Sequence, residues 1–135
     1  MNKEIRVYIA SPYTNGWMPA NVQLQIETCH KLMDFGYYPF VPVLAHFLQI
    51  YSLRTEPEWL QLGFVWLKQC DAVLRLQNTD KEGNQILSQG SDQEEALARE
   101  NNIPVFYSIE DLNDHFKINP KTKRKKYKHP AKLYV

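Results

Sequence analysis

The sequence predicts an α/β fold, a doubly wound parallel sheet of four to five strands with helices on both faces. Short β-branched and aromatic runs alternate with longer stretches of helical periodicity, the pattern of successive βαβ units. Start and stop signals for helices punctuate those stretches. At 135 residues, 44% hydrophobic and 23% charged, the chain has enough apolar content for one sizeable core and does not have the composition of a disordered chain.

Taken in order, "IRVYIA" (5–10) reads as a buried first strand and "SPYTNGWMP" as the loop that follows it. Pro19 suits the first turn of a helix, Val22, Ile26, Cys29 and Met33 recur at helical spacing, and Gly36 marks its end. "YYPFVPV" (37–43) is the second strand, with Pro39 and Pro42 placing it at an edge or marking its ends. "LAHFLQIY" reads as a short helix or turn. "TEPEWLQLGFVWLKQ" is a helix opened by a Thr55–Glu58 capping box, with Leu60, Phe64 and Leu67 along one face. "DAVLRLQ" (71–77) is a third strand, and "NTDKEGNQILSQG" is a polar loop longer than such a connection needs. A helix from about 91 to 102 leads to "IPVFYS", a fourth strand, and Ser108 caps a last helix in "SIEDLNDHF".

The charge is unevenly spread. Residues 117–135 carry eight of the 16 Lys/Arg and none of the 15 acids, so a body at 1–116 is acidic and the tail is basic. The tail's charge admits weak, purely electrostatic contact with nucleic acid, without the aromatic pattern that stacks on bases. Cys29 and Cys70 stand far apart in apolar-periodic segments and read as reduced core thiols of a cytoplasmic protein. The four histidines are scattered, so no metal or other cofactor is expected, and no apolar run approaches the ~18 residues of a membrane span. The N-terminus runs straight into strand pattern, with no leader pattern before it. The aromatic residues Phe47, Tyr51, Trp59, Phe64 and Trp66 exceed what one small helix layer buries, which predicts a homodimer or larger homo-oligomer.

In a doubly wound sheet a ligand sits beyond the carboxyl ends of the strands. The segments there are "SPYTNGW", "PVLAH" and the stretch up to "GSDQEE"; none is a G-x-G-x-x-G or Walker lysine motif. Ser11 and Tyr13 offer hydroxyls to a ligand or to their own turn. His46 faces the cleft or packs against its apolar neighbours, and Trp17 is the tryptophan best placed to meet a base. Glu94 stands three residues after Ser91, the spacing of a capping box, at a place where a carboxylate could also meet a ligand. Asp92 and Glu94 fall on nearly opposite sides of a helix and form no obvious pair.

Together, "VYIASPYT", "PFVPVLAH", "WLKQCDAVLRL" and "GSDQEEALARENNIPVFY" resemble the nucleoside 2-deoxyribosyltransferase superfamily, over residues 5–110. The resemblance implies a flavodoxin-like sheet, oligomers whose sites borrow residues from a neighbour, and either base exchange on 2'-deoxynucleosides or hydrolysis of nucleoside 5'-monophosphates. The family's glutamate in a pattern like G-x-x-x-E-x-x-x-A corresponds to Gly90, Glu94 and Ala98, which implies that Glu94 is the nucleophile. The family's first-strand loop corresponds to Ser11 and Tyr13, and Trp17, His46, Gly90 and Ser91 complete the expected substrate-binding set. A carboxylate suits this chemistry because loss of a base from C1' passes through an oxocarbenium-like state that it stabilises and traps. One departure stands out: many relatives carry an aspartate where this chain has Gly63. A catalytically silent nucleotide-binding module and an oligomeric adaptor with a nucleic-acid-contacting tail are the alternatives that departure leaves open.

Overall fold

The computed structural model describes residues 3–119, and of His46 the backbone alone. Residues 120–135, most of the expected basic tail, lie outside the described residues. In chain order the elements are β1 (Arg6–Ala10), α1 (Met18–Asp34), β2 (Tyr38–Phe40), a 3-10 turn (Pro42–Leu44), α2 (Ala45–Tyr51), α3 (Glu56–Leu67), β3 (Ala72–Arg75), α4 (Gln89–Glu100), β4 (Val105–Phe106) and α5 (Ile109–Phe116). The four strands form one sheet in the order β2-β1-β3-β4, and every pairing is parallel. This is the flavodoxin-type order with four strands. Proline-bearing β2 lies at the edge, as its sequence predicts.

Successive residues of a strand point to opposite faces, and here that alternation separates two cores. Val7 and Ile9 of β1 and Ala72 and Leu74 of β3 pack with Leu32 of α1 and Leu112 of α5. Tyr8, Ala10 and Val73 pack on the other face with Leu67 of α3 and Ala98 of α4. Cys29 packs against the first core and Cys70 against the second, and both are free thiols. Asp71 ties the start of β3 to β1, accepting from the Arg6 backbone N–H at 2.8 Å.

Helix α1 corrects the expected apolar stripe. Its buried residues are Asn21, Gln25, Thr28 and Leu32, whereas Ile26 and Met33 are exposed and Val22 and Cys29 are only partly buried. The loop after β1 presents bare carbonyls, and these side chains meet them. Asn21 Nδ2 donates to the carbonyls of Tyr13 (3.0 Å) and Asn15 (2.7 Å), and Gln25 Nε2 to that of Pro12 at 3.5 Å. Unpaired backbone acceptors would be costly to bury, so the helix turns polar groups inward there. At its far end Gly36 takes φ +94°, and the N–H groups of Gly36 and Tyr37 bond back to Met33 and Leu32.

The caps differ from expectation in two places. The N-cap of α4 is Ser88, whose Oγ accepts from the Ser91 N–H at 3.1 Å, so the Ser91–Glu94 capping box does not form. Glu94 sits in the second turn instead. Thr55 is the N-cap of α3, yet its hydroxyl makes no cap bond, and Glu56 and Glu58 in the first turn favour the helix start through its dipole. Ser108 caps α5 as expected, accepting from Asp111 N–H at 3.1 Å.

Large apolar side chains on and after α2, among them Phe47, Ile50, Tyr51 and Leu53, are exposed, as is Trp66 of α3. Trp59 and Phe64 are half-buried within the chain, and the Trp59 indole N–H donates to Gln49 Oε1 at 2.6 Å. The cap assignment gives a direct prediction. Ser88→Ala should lower stability in urea titrations by about 1 kcal/mol, and Thr55→Ala by only a few tenths. An equal loss at the two positions would contradict it.

Candidate functional site

Helix α4 lies across the sheet face that carries Tyr8 and Val73. Its inward residues are Ser91, Glu94 and Ala98, spaced as one helical stripe. Glu94 is 7% exposed, so its carboxylate is pressed into a layer otherwise made of Tyr8, Ala10, Leu67 and Val73. Burial pushes its pKa from 4.5 up to about 7, and the Tyr8 hydroxyl and the Arg75 charge offset that rise only in part. Among the described residues Glu94 closes no ion pair and caps no helix. A carboxyl buried at that cost without a structural task is a candidate functional group.

Tyr8 lies in the middle of β1 and is fully buried. Its hydroxyl stands near enough to Glu94 to act on it electrostatically but reaches no partner at full hydrogen-bond geometry. Burial, then the Glu94 charge, hold the phenol well above its ordinary pKa, so it remains a neutral donor. Its ring is held by stacking on Phe40 at 5.5 Å, and Phe40 stacks on Trp66 at 5.8 Å. Gly63 of α3 faces the hydroxyl: a Cβ there would fall 2.6 Å from Tyr8 Oη. The space beside Gly63 is therefore filled by the Tyr8 hydroxyl reaching across from β1.

Arg75 ends β3 on the same face. Its guanidinium pairs with Asp92 Oδ1 at 2.6 Å and Glu95 Oε2 at 3.5 Å, both on α4. Glu95 also accepts from the Tyr107 hydroxyl and pairs with Arg99 at 3.6 Å. Asp92, in turn, is committed to Arg75 and largely exposed, which leaves it a surface anchor rather than a partner of Glu94.

The remaining expected residues are dispersed around this cluster. The Ser11 hydroxyl donates to the Pro12 carbonyl at 3.2 Å, a local turn bond. Tyr13 is half-buried against the opposite core, where burial raises its hydroxyl pKa. Trp17 is 70% exposed just before α1. His46 lies in α2, and its side chain is outside the described part of the structure. Gly90 sits in the first turn of α4 opposite Leu60, and the Ser91 hydroxyl accepts from Ser88 Oγ at 2.9 Å. The loop after β1 (11–17) and the segment 84–91 that leads into α4 touch each other: Asn15 Nδ2 donates to the Leu87 carbonyl at 2.7 Å, and Gly16 abuts Ile86. Two surface hollows lie elsewhere, one along α1 beside Val22 and Ile26 and one between α1 and α5.

Tyr8, Arg75 and Asn21 are the residues that the sequence reading missed. Arg75 carried a signal, since it is a lone charge at the end of an otherwise apolar strand and must find acids on the layer above it. Among the described residues no group of three or more His, Cys, Asp or Glu gathers as a metal site, and no helix is long and apolar enough to cross a membrane.

Residues 5–108 match the family described as a domain of unknown function, DUF7768, and the chain belongs to that family. Among solved structures it is similar to a 2-deoxyribosyltransferase from the psychrotolerant bacterium Bacillus psychrosaccharolyticus, at 20% identity and a TM-score of 0.48, over 74% of this chain and 69% of that one. No curated protein matches the chain.

The raised carboxyl makes stability depend on pH with a definite sign. The folded state holds the Glu94 proton up to about 7 and the unfolded state only to 4.5, so folding is weakened as pH rises across that window. The cost above it is roughly 3 kcal/mol. Glu94→Gln should match the wild type in urea titrations near pH 4.5 and exceed it by an increasing margin toward pH 8. A margin that is flat with pH would mean that the carboxyl is not held in the buried layer.

Proposed function

We propose that this DUF7768 member breaks the N-glycosidic bond of a (deoxy)nucleoside or nucleoside 5'-monophosphate, or transfers its 2-deoxyribosyl group, with Glu94 as nucleophile. The supporting observation is a carboxyl buried between α4 and the sheet that neither caps a helix nor closes an ion pair. Its spacing within Gly90-x-x-x-Glu94-x-x-x-Ala98 and the resemblance of the surrounding segments to the 2-deoxyribosyltransferases point to the same chemistry.

In this reading a Glu94 oxygen bonds to C1' as the C1'–N bond breaks, and the bonding pair leaves with the base. Water or a second base then attacks C1', releasing the sugar and restoring the carboxylate. With a pKa of about 7, Glu94 is partly ionised at neutral pH, so base release rises with pH through that range. Tyr8, neutral and 2.6 Å from the Cβ position of Gly63, supplies a donor where relatives place an acid. Ser11, Tyr13, Trp17, His46, Gly90 and Ser91 are the proposed surroundings of the substrate. A sugar reaches a carboxylate only 7% exposed after side chains around it move aside.

The proposed organisation is an α/β domain at 1–116 followed by a basic tail at 117–135 that binds anions, nucleic acid included, weakly and by charge alone. The exposed apolar side chains of α2 and α3 are the proposed surface of a homodimer or larger homo-oligomer. A second reading, a catalytically silent nucleotide-binding module on the same fold, is favoured by one observation: Gly63 supplies no side chain where the resembled family places an acid.

Base release from deoxynucleosides and their monophosphates separates the two. With the nucleophile reading, Glu94→Gln stays folded and binds substrate, while release falls by two or more orders of magnitude. Equal release by wild type and variant from every substrate that reacts would remove Glu94 from the chemistry. Binding without release by the wild type would leave the silent module.

A further inference from the structure

We infer that Arg75 is a positioning residue for Glu94: a buried guanidinium at the end of β3, locked under α4 by Asp92 and Glu95, the residues two before and one after that carboxyl. The inference rests on Glu94 being the reactive group, and it concerns how this chain holds such a group in an otherwise apolar layer.

Arg75 is the last residue of β3 and the register partner of Ala10, so strand alternation sends its side chain to the α4 face of the sheet. Its side chain is only 11% exposed. An arginine is buried there at a cost that paired acids must offset. The fork grips the helical stripe next to that of Glu94, with Nη2 2.6 Å from Asp92 and Nη1 3.5 Å from Glu95. Its Nε is buried and has no hydrogen-bond partner among the described residues. Glu95 is itself held by the Tyr107 hydroxyl from beyond β4 and by Arg99 one turn along α4. The guanidinium is thus fixed directly by α4 and, through Glu95, by the segment after β4.

The groups facing Glu94 define what that charge does. From β1 comes the neutral Tyr8 hydroxyl, with the Cys70 thiol near it, and from α3 comes Gly63, which has no side chain. Its own helix contributes Asp92 and Glu95, both negative, and Arg99 and Tyr107 lie beyond Glu95. Arg75 is the cation whose charge acts on Glu94, and it opposes the desolvation of the carboxylate. A strut that only tied β3 to α4 would leave the ionisation of Glu94 unchanged.

The direct test is a carbon-13 NMR titration of the Glu94 carboxyl without substrate, its resonance assigned by its absence in Glu94→Gln. The wild-type midpoint is expected at about 7. In Arg75→Gln it should rise by at least about one pH unit, a tenfold change in the ionised-to-protonated ratio, and the rising limb of base release should move with it. Arg75→Lys, which keeps the charge, should stay within about half a unit of the wild type. A midpoint in Arg75→Gln that coincides with wild type, or an equal rise in both variants, would overturn the inference. If Arg75→Gln does not fold, Arg75→Met, which keeps the apolar stem and drops the charge, takes its place in the same titration: the midpoint should rise by at least about one unit, and a value that coincides with wild type would overturn the inference. Because the titration needs no turnover, a wild type that releases no base would sink the catalytic reading and leave this measurement to decide about Arg75.

Discussion

A carboxyl group cannot be taken out of water between a helix and a sheet without either a proton or a nearby positive charge. The layer between α4 and the β1–β3 face is organised around that condition. Glu94 is buried there with the Arg75 charge beside it, Arg75 is secured by two surface acids of the same helix, and Tyr8 contributes a neutral hydroxyl that cannot ionise in such surroundings. Each neighbour narrows the choice of the next. The tyrosine needs the space over Gly63, since any side chain there would meet its hydroxyl, and its ring needs the stack formed by Phe40 and Trp66.

Topology explains why these groups converge. The strand order β2-β1-β3-β4 sends the chain leftward from β1 and rightward from β3, so the sheet changes direction between its two central strands. The loops leaving those strands are neighbours for that reason, and they are tied together: Asn78 Nδ2 donates to Asn21 Oδ1 at 3.0 Å, and Asn21 holds the loop after β1 through two carbonyls. The polar inward face of α1 is therefore part of the site's scaffold. Replacing Asn21 with an apolar residue of similar size would leave those carbonyls and Asn78 without this partner in a part-buried region.

The fold was legible because its signals are local. Short β-branched and aromatic runs, Pro19 at a helix start, Gly36 at a helix end and Ser108 at a cap each announce themselves within a few residues. Glu94 was legible through its spacing to Gly90 and Ala98, but its cap was misplaced, because Ser91-x-x-Glu94 imitates a helix start one turn inside the true one at Ser88. Tyr8 and Arg75 were hidden by their company. Each looks like a filler in a buried strand, and their partners lie far along the chain, on α3 and α4. The face of α1 was misjudged for a related reason: hydrophobic periodicity finds apolar stripes, and this helix buries a polar one.

The proposed chemistry comes down to one covalent bond. The protein should be mixed with a deoxynucleoside that it consumes, quenched in acid within milliseconds to seconds, and its intact mass and peptide masses recorded. The account predicts a mass increase equal to one deoxyribosyl group, confined to the peptide that contains Glu94 and absent from Glu94→Gln. Rapid release of base with the sugar attached to a different residue would contradict it.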